Sequence, residues 1–446
     1  MKHAESVSMK QLSEYSARYN ASPSRRTMTN ALAKTELSDV TFDNRRLRED
    51  RFHFSVEIPT LPVTNQERSG RCWIFAGANL LRAEVAKKCN LDRFELSQNY
   101  IAFWDKFEKA NYFLESVIDR IDCPIDDRTL CWILSTGVQD GGQWDMFVSL
   151  IEKYGIVPKE AMDETYQSSH TAAMNGLLNT KLRQFAARLQ KLHLDGTDDL
   201  HAEKDAMLRE IYSLLCTCLG EPPASFDFCW TDKDKQYHMD RSLTPKDFYE
   251  KYVGLPLGDY VSVINSPTSD KPFYRSYTVD YLGNVVGGRD VRYLNLPMEE
   301  LVSLVIRQLQ DGRLVWFGSD VGKCGDRKRG IWDSKAFDYA SAFEMDFSME
   351  KGDMLDYRES AMNHAMVITG VELDENGAPV RWKIQNSWSD ENGEKGYYLM
   401  SADWFNRYVY QAVIRREYLS DAQREAFDAD PNHLTPWDPM GTLADR

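Results

Sequence analysis

One cysteine stands where its thiol could act as a nucleophile. Cys72 follows the loop 66–71 and opens a proline-free apolar stretch, which predicts a buried helix. A thiol at a helix N-terminus feels the positive end of the helix dipole, which lowers its pKa and favours the thiolate. This position distinguishes Cys72 from the remaining cysteines, which we expect to be inert thiols.

A glutamine in the same loop could assist such a nucleophile. Gln66 lies six positions before Cys72, so its side-chain N–H could point at the carbonyl that the thiolate attacks. Together with the backbone N–H of Cys72 it would form an oxyanion hole. A single loop glutamine is more often polar surface, and only its offset from the cysteine favours this role.

The best general base among the eight histidines is His364, because it alone opens an apolar strand. The segment 374–377 predicts a tight hairpin turn after that strand. His364 and Asn386 are equally distant from Glu375, so we expect them to face each other and Asn386 to orient the ring. Trp388 would shield their contact from water. The alternative is an apolar hairpin that happens to carry a histidine and an asparagine.

Both helices and strands must position these residues, and their patterns along the chain predict an α+β protein. Helical spacing of apolar residues is found at 72–86, 143–154, 177–219 and 301–310. Strand patterns follow at 261–286, 314–317, 364–372, 380–385 and 396–400. The first 57 residues and the segment after Ser420 are polar, and we interpret both as arms that lie over the rest.

Composition narrows the classes of function. The chain has 446 residues, which leaves room for two or three domains. Its formal net charge of −15 repels phosphate backbones, so we expect it not to bind nucleic acid. We find no signal peptide, no membrane-spanning stretch and no metal-ligand spacing, and we expect no cofactor. The eight cysteines form no disulfide framework, which favours a cytoplasmic enzyme.

Three sequence blocks resemble those of papain-like cysteine peptidases. They are the Gln…Cys-Trp block at 66–73, the Asn-His-Ala block at 363–365 and the Asn-Ser-Trp block at 386–388. The long interval between Cys72 and His364 and the tail segment 437–444 resemble the bleomycin hydrolase and aminopeptidase C family more closely. Secreted papain-like enzymes carry a half-cystine where this chain has Ser69, and its partner where this chain has Gln139, so that disulfide is missing.

The resemblance implies a two-domain papain-like fold with a large insertion between the cysteine and histidine blocks. The expected division is an N-terminal arm (1–57), a left domain with the nucleophile helix (58–164), an insertion for oligomer assembly (165–310), a right domain (311–419) and a C-terminal arm (420–446). The family also implies a homohexamer.

The implied function is a cysteine aminopeptidase that acts on peptides with a free N-terminus. By resemblance, Gly141 and Gly142 line the cleft and bind substrate, and a carboxylate at or near Ala444 pairs with the substrate's α-amino group. Asp445 and Arg446 extend beyond the usual family ending, so we hypothesise that Cys72 trims them; simple fraying is the alternative. A non-catalytic peptide-binding scaffold and an endopeptidase of the same fold are the competing functions.

Overall fold

The structure is a computed structural model and describes residues 4–46, 52–197 and 199–443. Its α-helices, in chain order, are α1 (Met9–Asn20), α2 (Pro23–Leu32), α3 (Leu37–Thr41), α4 (Cys72–Lys88), α5 (Gln98–Asp119), α6 (Arg128–Thr136), α7 (Trp144–Tyr154), α8 (Tyr166–Ser169), α9 (Ala172–Leu194), α10 (Leu200–Leu219), α11 (Pro245–Phe248), α12 (Met298–Gln310), α13 (Tyr339–Phe343), α14 (Lys351–Asp356), α15 (Ala402–Tyr408) and α16 (Asp421–Asp428).

The β-strands, again in chain order, are β1 (Val56–Glu57), β2 (Phe226–Thr231), β3 (Tyr237–Leu243), β4 (Tyr260–Ile264), β5 (Arg275–Val279), β6 (Arg292–Asn295), β7 (Val315–Ser319), β8 (Gly325–Asp326), β9 (Ile331–Trp332), β10 (His364–Leu373), β11 (Pro379–Gln385), β12 (Tyr397–Ser401), β13 (Val409–Arg415) and β14 (Asn432–Leu434). The expected α+β class is confirmed.

One large sheet organises the second half of the chain. Its strand order is β14-β5-β6-β4-β13-β7-β10-β11-β12-β9-β8, with β1 paired to β10, while β2 and β3 form a separate hairpin. Strands β4, β5 and β6, which precede residue 310, therefore lie in the same sheet as β7 and β10, which follow it. The five-part division of the chain stays a prediction.

Two apolar cores flank the sheet. The helical core gathers buried side chains from α4, α5, α7, α9 and α10, and α4 packs directly against β10. The second core lies between the sheet and helices α12 and α15. Helix α4 is buried on nearly all sides because its residues are apolar all round.

Most predicted elements are present, and two differ. The predicted helix 177–219 is two helices, α9 and α10, because Asp195 and Gly196 end the first one. The N-terminal segment, for which the sequence indicated only a polar arm, contains α1 and α2, each capped by a serine at its start. Neither α1 nor α2 buries a residue within one chain, so no core contact accompanies these two helices. No helix among the described residues is long and apolar enough to cross a membrane.

Candidate active site

Cys72 is the first residue of α4 and lies at the contact between that helix and β10. Its side chain is almost fully buried, and the backbone N–H of Ala365 donates to its Sγ at 3.4 Å. The cysteine block and the histidine block, far apart in the chain, are thus joined at the thiol.

His364 opens β10, where it pairs with Ser319 of the neighbouring strand β7. Its Nε2 lies 2.9 Å from Oδ1 of Asn386. That oxygen also accepts the backbone N–H of Ser387 at 2.8 Å, which identifies it as the acceptor and Nε2–H as the donor. A neutral ring held in this tautomer carries its lone pair on Nδ1. The Trp388 ring stacks on the imidazole with centroids 4.7 Å apart, and its shielding of the contact from water stays a prediction.

The contact between His364 and Asn386 forms although the two residues are not ladder partners. The predicted turn is present, but β10 and β11 pair Val367 with Gln385. Continuing that register would place Asn386 opposite Met366, two residues beyond His364. The expectation of directly opposed positions was therefore wrong. The contact forms because Asn386 follows the last residue of β11 and is free of the ladder.

Cys72 and His364 line one small cavity of about 10 Å³. Gly142 and Gln143 bound it on the helical side and Met362 and Asn363 on the sheet side, and Thr442 and Leu443 of the C-terminal segment complete its wall. The C-terminal segment therefore forms part of the wall around the two reacting groups.

Gln66 is buried just outside that cavity and held at both ends of its amide. Its Oε1 accepts from the hydroxyl of Ser387 at 2.7 Å, and its Nε2 donates to the carbonyl of Ser69 at 2.6 Å. One hydrogen of Nε2 remains for another acceptor. The loop that carries Cys72 and the block that carries Asn386 are thereby tied together through Gln66.

The two glycines of the 141–142 pair have different surroundings. The carbonyl of Gly141 accepts from Nζ of Lys109 at 2.6 Å. Gly142 lines the cavity, and a Cβ at this position would meet the Trp73 ring at 2.5 Å. Glycine is therefore required at position 142 by the tryptophan that follows the nucleophile, and Gly142 is the member of the pair that faces the cavity.

Burial opposes a charge on either reacting group in this filled cleft. Burial raises the pKa of the Cys72 thiol to about 11, although the backbone N–H groups of Ala365 and Trp73 oppose the rise. Burial also lowers the pKa of His364 to about 4, against the hydrogen bond to Asn386. The expected lowering by the helix N-terminus is thus outweighed by desolvation. Transfer of one proton from Sγ to the ring would create both charges together, each stabilising the other.

The C-terminal segment is held in the cleft by polar contacts along its length. The carboxylate of Asp438 pairs with buried Lys271 at 2.9 Å, and the hydroxyl of Tyr293 donates to the carbonyl of Met440 at 3.1 Å. The side-chain amide of Gln143 donates to the carbonyl of Thr442 at 3.3 Å. The hydroxyl of Thr442 donates to the carbonyl of Met362 at 2.8 Å.

Ala444, Asp445 and Arg446 lie outside the described residues. The predicted carboxylate near Ala444 and the predicted removal of Asp445 and Arg446 therefore concern residues that the structure does not describe. All eight cysteines lie in the described part and are unpaired. Among the described residues, no three His, Cys, Asp or Glu side chains are grouped so as to hold a metal ion.

Sequence reasoning passed over a buried ionic cluster beneath the 141–142 loop. Lys106 pairs with Asp140 at 2.6 Å and Lys109 with Asp105 at 2.7 Å. The two lysines and Asp105 lie on α5, where charges in a helical pattern normally indicate a solvated face. Only the position of Asp140, directly before Gly141, could have drawn attention to it.

The chain is similar to known peptidases along most of its length. The model of the peptidase C1-like family matches residues 6–441. Aminopeptidase C of Lactobacillus delbrueckii subsp. lactis is 51% identical over 396 residues, 88% of each chain. Aminopeptidase C of Listeria monocytogenes is 44% identical over 438 residues, 98% of this chain and 99% of that one.

A crystal structure of PepW from Lactobacillus rhamnosis superposes with a TM-score of 0.97 at 47% identity, covering 98% of this chain and 99% of that one. The family model spans nearly the whole chain, and these relatives cover 88% to 98% of it. The chain therefore belongs to the peptidase C1-like family of papain-like cysteine peptidases.

Proposed function

We propose that this protein is a cysteine aminopeptidase that removes N-terminal residues from peptides through an acyl-enzyme on Cys72. The carrying observation is that Cys72 and His364 share one cavity with the chain's own C-terminal segment at Thr442 and Leu443. A nucleophile and its base account for peptide hydrolysis. The C-terminal segment beside them would limit how many substrate residues can lie on the N-terminal side of the scissile bond.

The reaction begins with transfer of the Cys72 proton to Nδ1 of His364 as Sγ attacks the substrate carbonyl. The ring is ready to accept because Asn386 holds the hydrogen on Nε2. His364 then gives this proton to the leaving amine, and the thioester remains. Water, deprotonated by His364, hydrolyses the thioester and restores the thiol.

The oxyanion accepts hydrogen bonds from the remaining Nε2 hydrogen of Gln66 and the backbone N–H of Cys72. Support comes from the fixed amide of Gln66, whose orientation is set by Ser387 and Ser69. Such preorganised donors stabilise charge that appears only in the transition state. Gly142, which packs against Trp73 and lines the cavity, would present its backbone to the substrate.

The C-terminal segment would make the enzyme an exopeptidase. Thr442 is held from both walls, by Gln143 on one side and Met362 on the other. We propose that the following residues end beside Cys72, with a carboxylate at or near Ala444 that pairs with the substrate's α-ammonium group. A peptide with a blocked N-terminus, or one with more residues on the N-terminal side of the scissile bond, would then lack both the charge pair and the space.

Comparing free and N-acetylated aminoacyl fluorogenic amides tests this function. We expect the free substrates to have a kcat/KM higher by roughly 30-fold or more, which corresponds to about 2 kcal/mol for a lost buried charge pair. Equal rates on both would identify an endopeptidase. No turnover of any peptide, with Cys72 accessible to a thiol reagent, would identify a non-catalytic scaffold.

We further propose that the protein assembles as a homohexamer, as the family resemblance implies. Support comes from α1, which buries no residue within one chain and exposes Leu12, Tyr15 and Tyr19. Contiguous exposed apolar groups mark interaction surfaces. We expect light scattering to give six times the 51.5 kDa of one chain.

A variant with Leu12→Glu and Tyr15→Glu should dissociate that assembly, whereas Lys10→Glu on the same helix should not. A monomer at working concentration in the unmodified protein would contradict the proposal. We also place the enzyme in the cytoplasm, where thiols stay reduced, because all eight cysteines are unpaired. Recovery in an oxidising compartment on cell fractionation would contradict that placement.

A further inference from the structure

A buried ionic cluster of Asp105, Lys106, Lys109 and Asp140 lies between helix α5 and the two loops of the active site. All four side chains are at most 7% exposed. Charges are rarely buried so completely, because desolvation costs several kcal/mol per ion unless each has partners. The hydrogen-bond and ion-pair partners of these four side chains therefore indicate what the cluster does.

Asp140 links the cluster to the loop that carries the nucleophile. One of its carboxylate oxygens accepts the backbone N–H of Gly70 at 2.8 Å, two residues before Cys72. The hydroxyl of Thr171 donates to the same oxygen. The other oxygen binds Lys106, and Asn175 donates to it at 2.8 Å. The backbone carbonyl of Asp140 accepts from Nε1 of Trp73 at 2.8 Å, on the far side of Cys72.

The two lysines fix the loop on the opposite side of the cleft. Lys106 and Lys109 both donate to the carbonyl of Gln139, at 2.9 and 3.1 Å. Lys109 also donates to the carbonyl of Gly141 at 2.6 Å, and its ammonium lies 5.3 Å from the centre of the Trp73 ring. The backbone from Gln139 to Gly141 is thereby turned toward α5, which leaves Gly142 to face the cavity.

We infer that this cluster positions the reaction centre: Asp140 and Lys106 hold Gly70 and the 139–142 loop at fixed places on either side of Cys72 and set the electric field at its sulfur. These are positioning residues, since none lines the cavity that Cys72 and His364 share. The inference rests on the proposed role of Cys72.

The charges around Cys72 give the cluster a measurable signature. His364, at the start of β10, lines the same cavity as the thiol. Besides burial, the positive charge of Arg327, whose guanidinium lies over the Trp388 ring, lowers the pKa of His364. Asp140 is the anion whose charge raises the pKa of Cys72, after burial. Burial of Asp140 opposes its ionisation, but Lys106 and the hydrogen-bond donors outweigh burial and lower its pKa. Lys106 therefore compensates an anion whose charge acts on the thiol.

Removing the charge of Asp140 and removing that of Lys106 should shift the pKa of Cys72 in opposite directions. Asp140→Asn removes an anion and should lower the apparent pKa of the thiol by about one unit. Lys106→Met removes the cation paired with that anion and should raise the apparent pKa of the thiol by about one unit. A loss of packing alone would move both variants in the same direction or neither. We therefore expect opposite shifts, together with a fall in kcat/KM of at least about tenfold in both variants.

The measurement is the rate of Cys72 alkylation by iodoacetamide as a function of pH, read by peptide mass spectrometry in the full-length protein. Lys106→Arg keeps the charge and should keep the profile of the unmodified enzyme, which guards against misfolding of Lys106→Met. Glu108→Gln is the matched control, because Glu108 is a buried carboxylate on α5 that pairs with Lys153, away from the cleft.

Shifts of the same sign in Asp140→Asn and Lys106→Met, or none, would overturn the inference. So would an equal shift in Glu108→Gln. Failure of the proposed function is a separate outcome, seen when complete alkylation of Cys72 leaves turnover of free aminoacyl substrates intact.

Discussion

Cys72→Ala should lower turnover of aminoacyl substrates by on the order of 10⁴-fold to 10⁶-fold, because the change removes the atom that forms the acyl-enzyme. The fold should survive. The side chain is small, and its loss from a buried site costs no more than about 1.5 kcal/mol. The measurement is kcat on a free aminoacyl amide, with thermal unfolding followed in parallel.

Cys89→Ala provides a matched control for this result. Cys89 is a second buried cysteine and caps the opposite end of the same helix, α4. Its replacement removes the same group from the same core and should leave kcat within about twofold. Substantial turnover by Cys72→Ala, or an equal loss in Cys89→Ala, would contradict the choice of nucleophile.

The residues that carry chemistry could be found from the sequence because their signals are local. Cys72 marks a loop-to-helix transition, and the 374–377 segment marks a turn, so helix α4 and the β10–β11 hairpin followed from short stretches. The bond between His364 and Asn386 was also expected, although the argument from equal spacing was wrong. The observed ladder is offset by two residues from the expected one. Asn386 still reaches His364 because it lies just beyond the end of β11 and is not held in the ladder.

Properties that depend on distant segments could not be predicted in this way. The helix dipole at Cys72 is a local effect and favours the thiolate, whereas burial of the thiol depends on β10 and the C-terminal segment. The second effect is larger in the filled cleft, so the thiol pKa rises instead of falling. The cluster at Asp140 was missed for the same reason. Only the folded chain shows that Lys106 and Lys109 face a loop more than 30 residues away.

The position of the C-terminal segment combines both kinds of information. Its polar, proline-containing sequence and its resemblance to a family tail predicted an arm in the cleft. Its restraints come from residues that no local pattern singles out, such as Lys271 and Tyr293 in the strand-rich part of the predicted insertion. Strand β14 fixes the start of this path by pairing with β5.

Deleting Leu443 to Arg446 should convert the enzyme from an exopeptidase into one that also cleaves N-blocked peptides. The deletion removes one wall of the cavity at Cys72 and the proposed carboxylate partner of the substrate's ammonium group. We expect the preference for free over N-acetylated substrates to fall by roughly 30-fold or more, since a buried charge pair is worth about 2 kcal/mol or more. The readout is the ratio of kcat/KM on the two substrates, which cancels any loss of active enzyme.

Two further variants show which part of the segment is responsible. Deleting only Asp445 and Arg446 should leave the preference unchanged, because a carboxylate then remains at Ala444. Lys271→Met removes the cation that holds Asp438 and leaves all tail residues in place. If restraint of the path matters as well as the terminal charge, this variant should show an intermediate preference. A four-residue deletion that still rejects N-acetylated peptides would mean that the walls of the cleft, rather than the tail, select the free N-terminus.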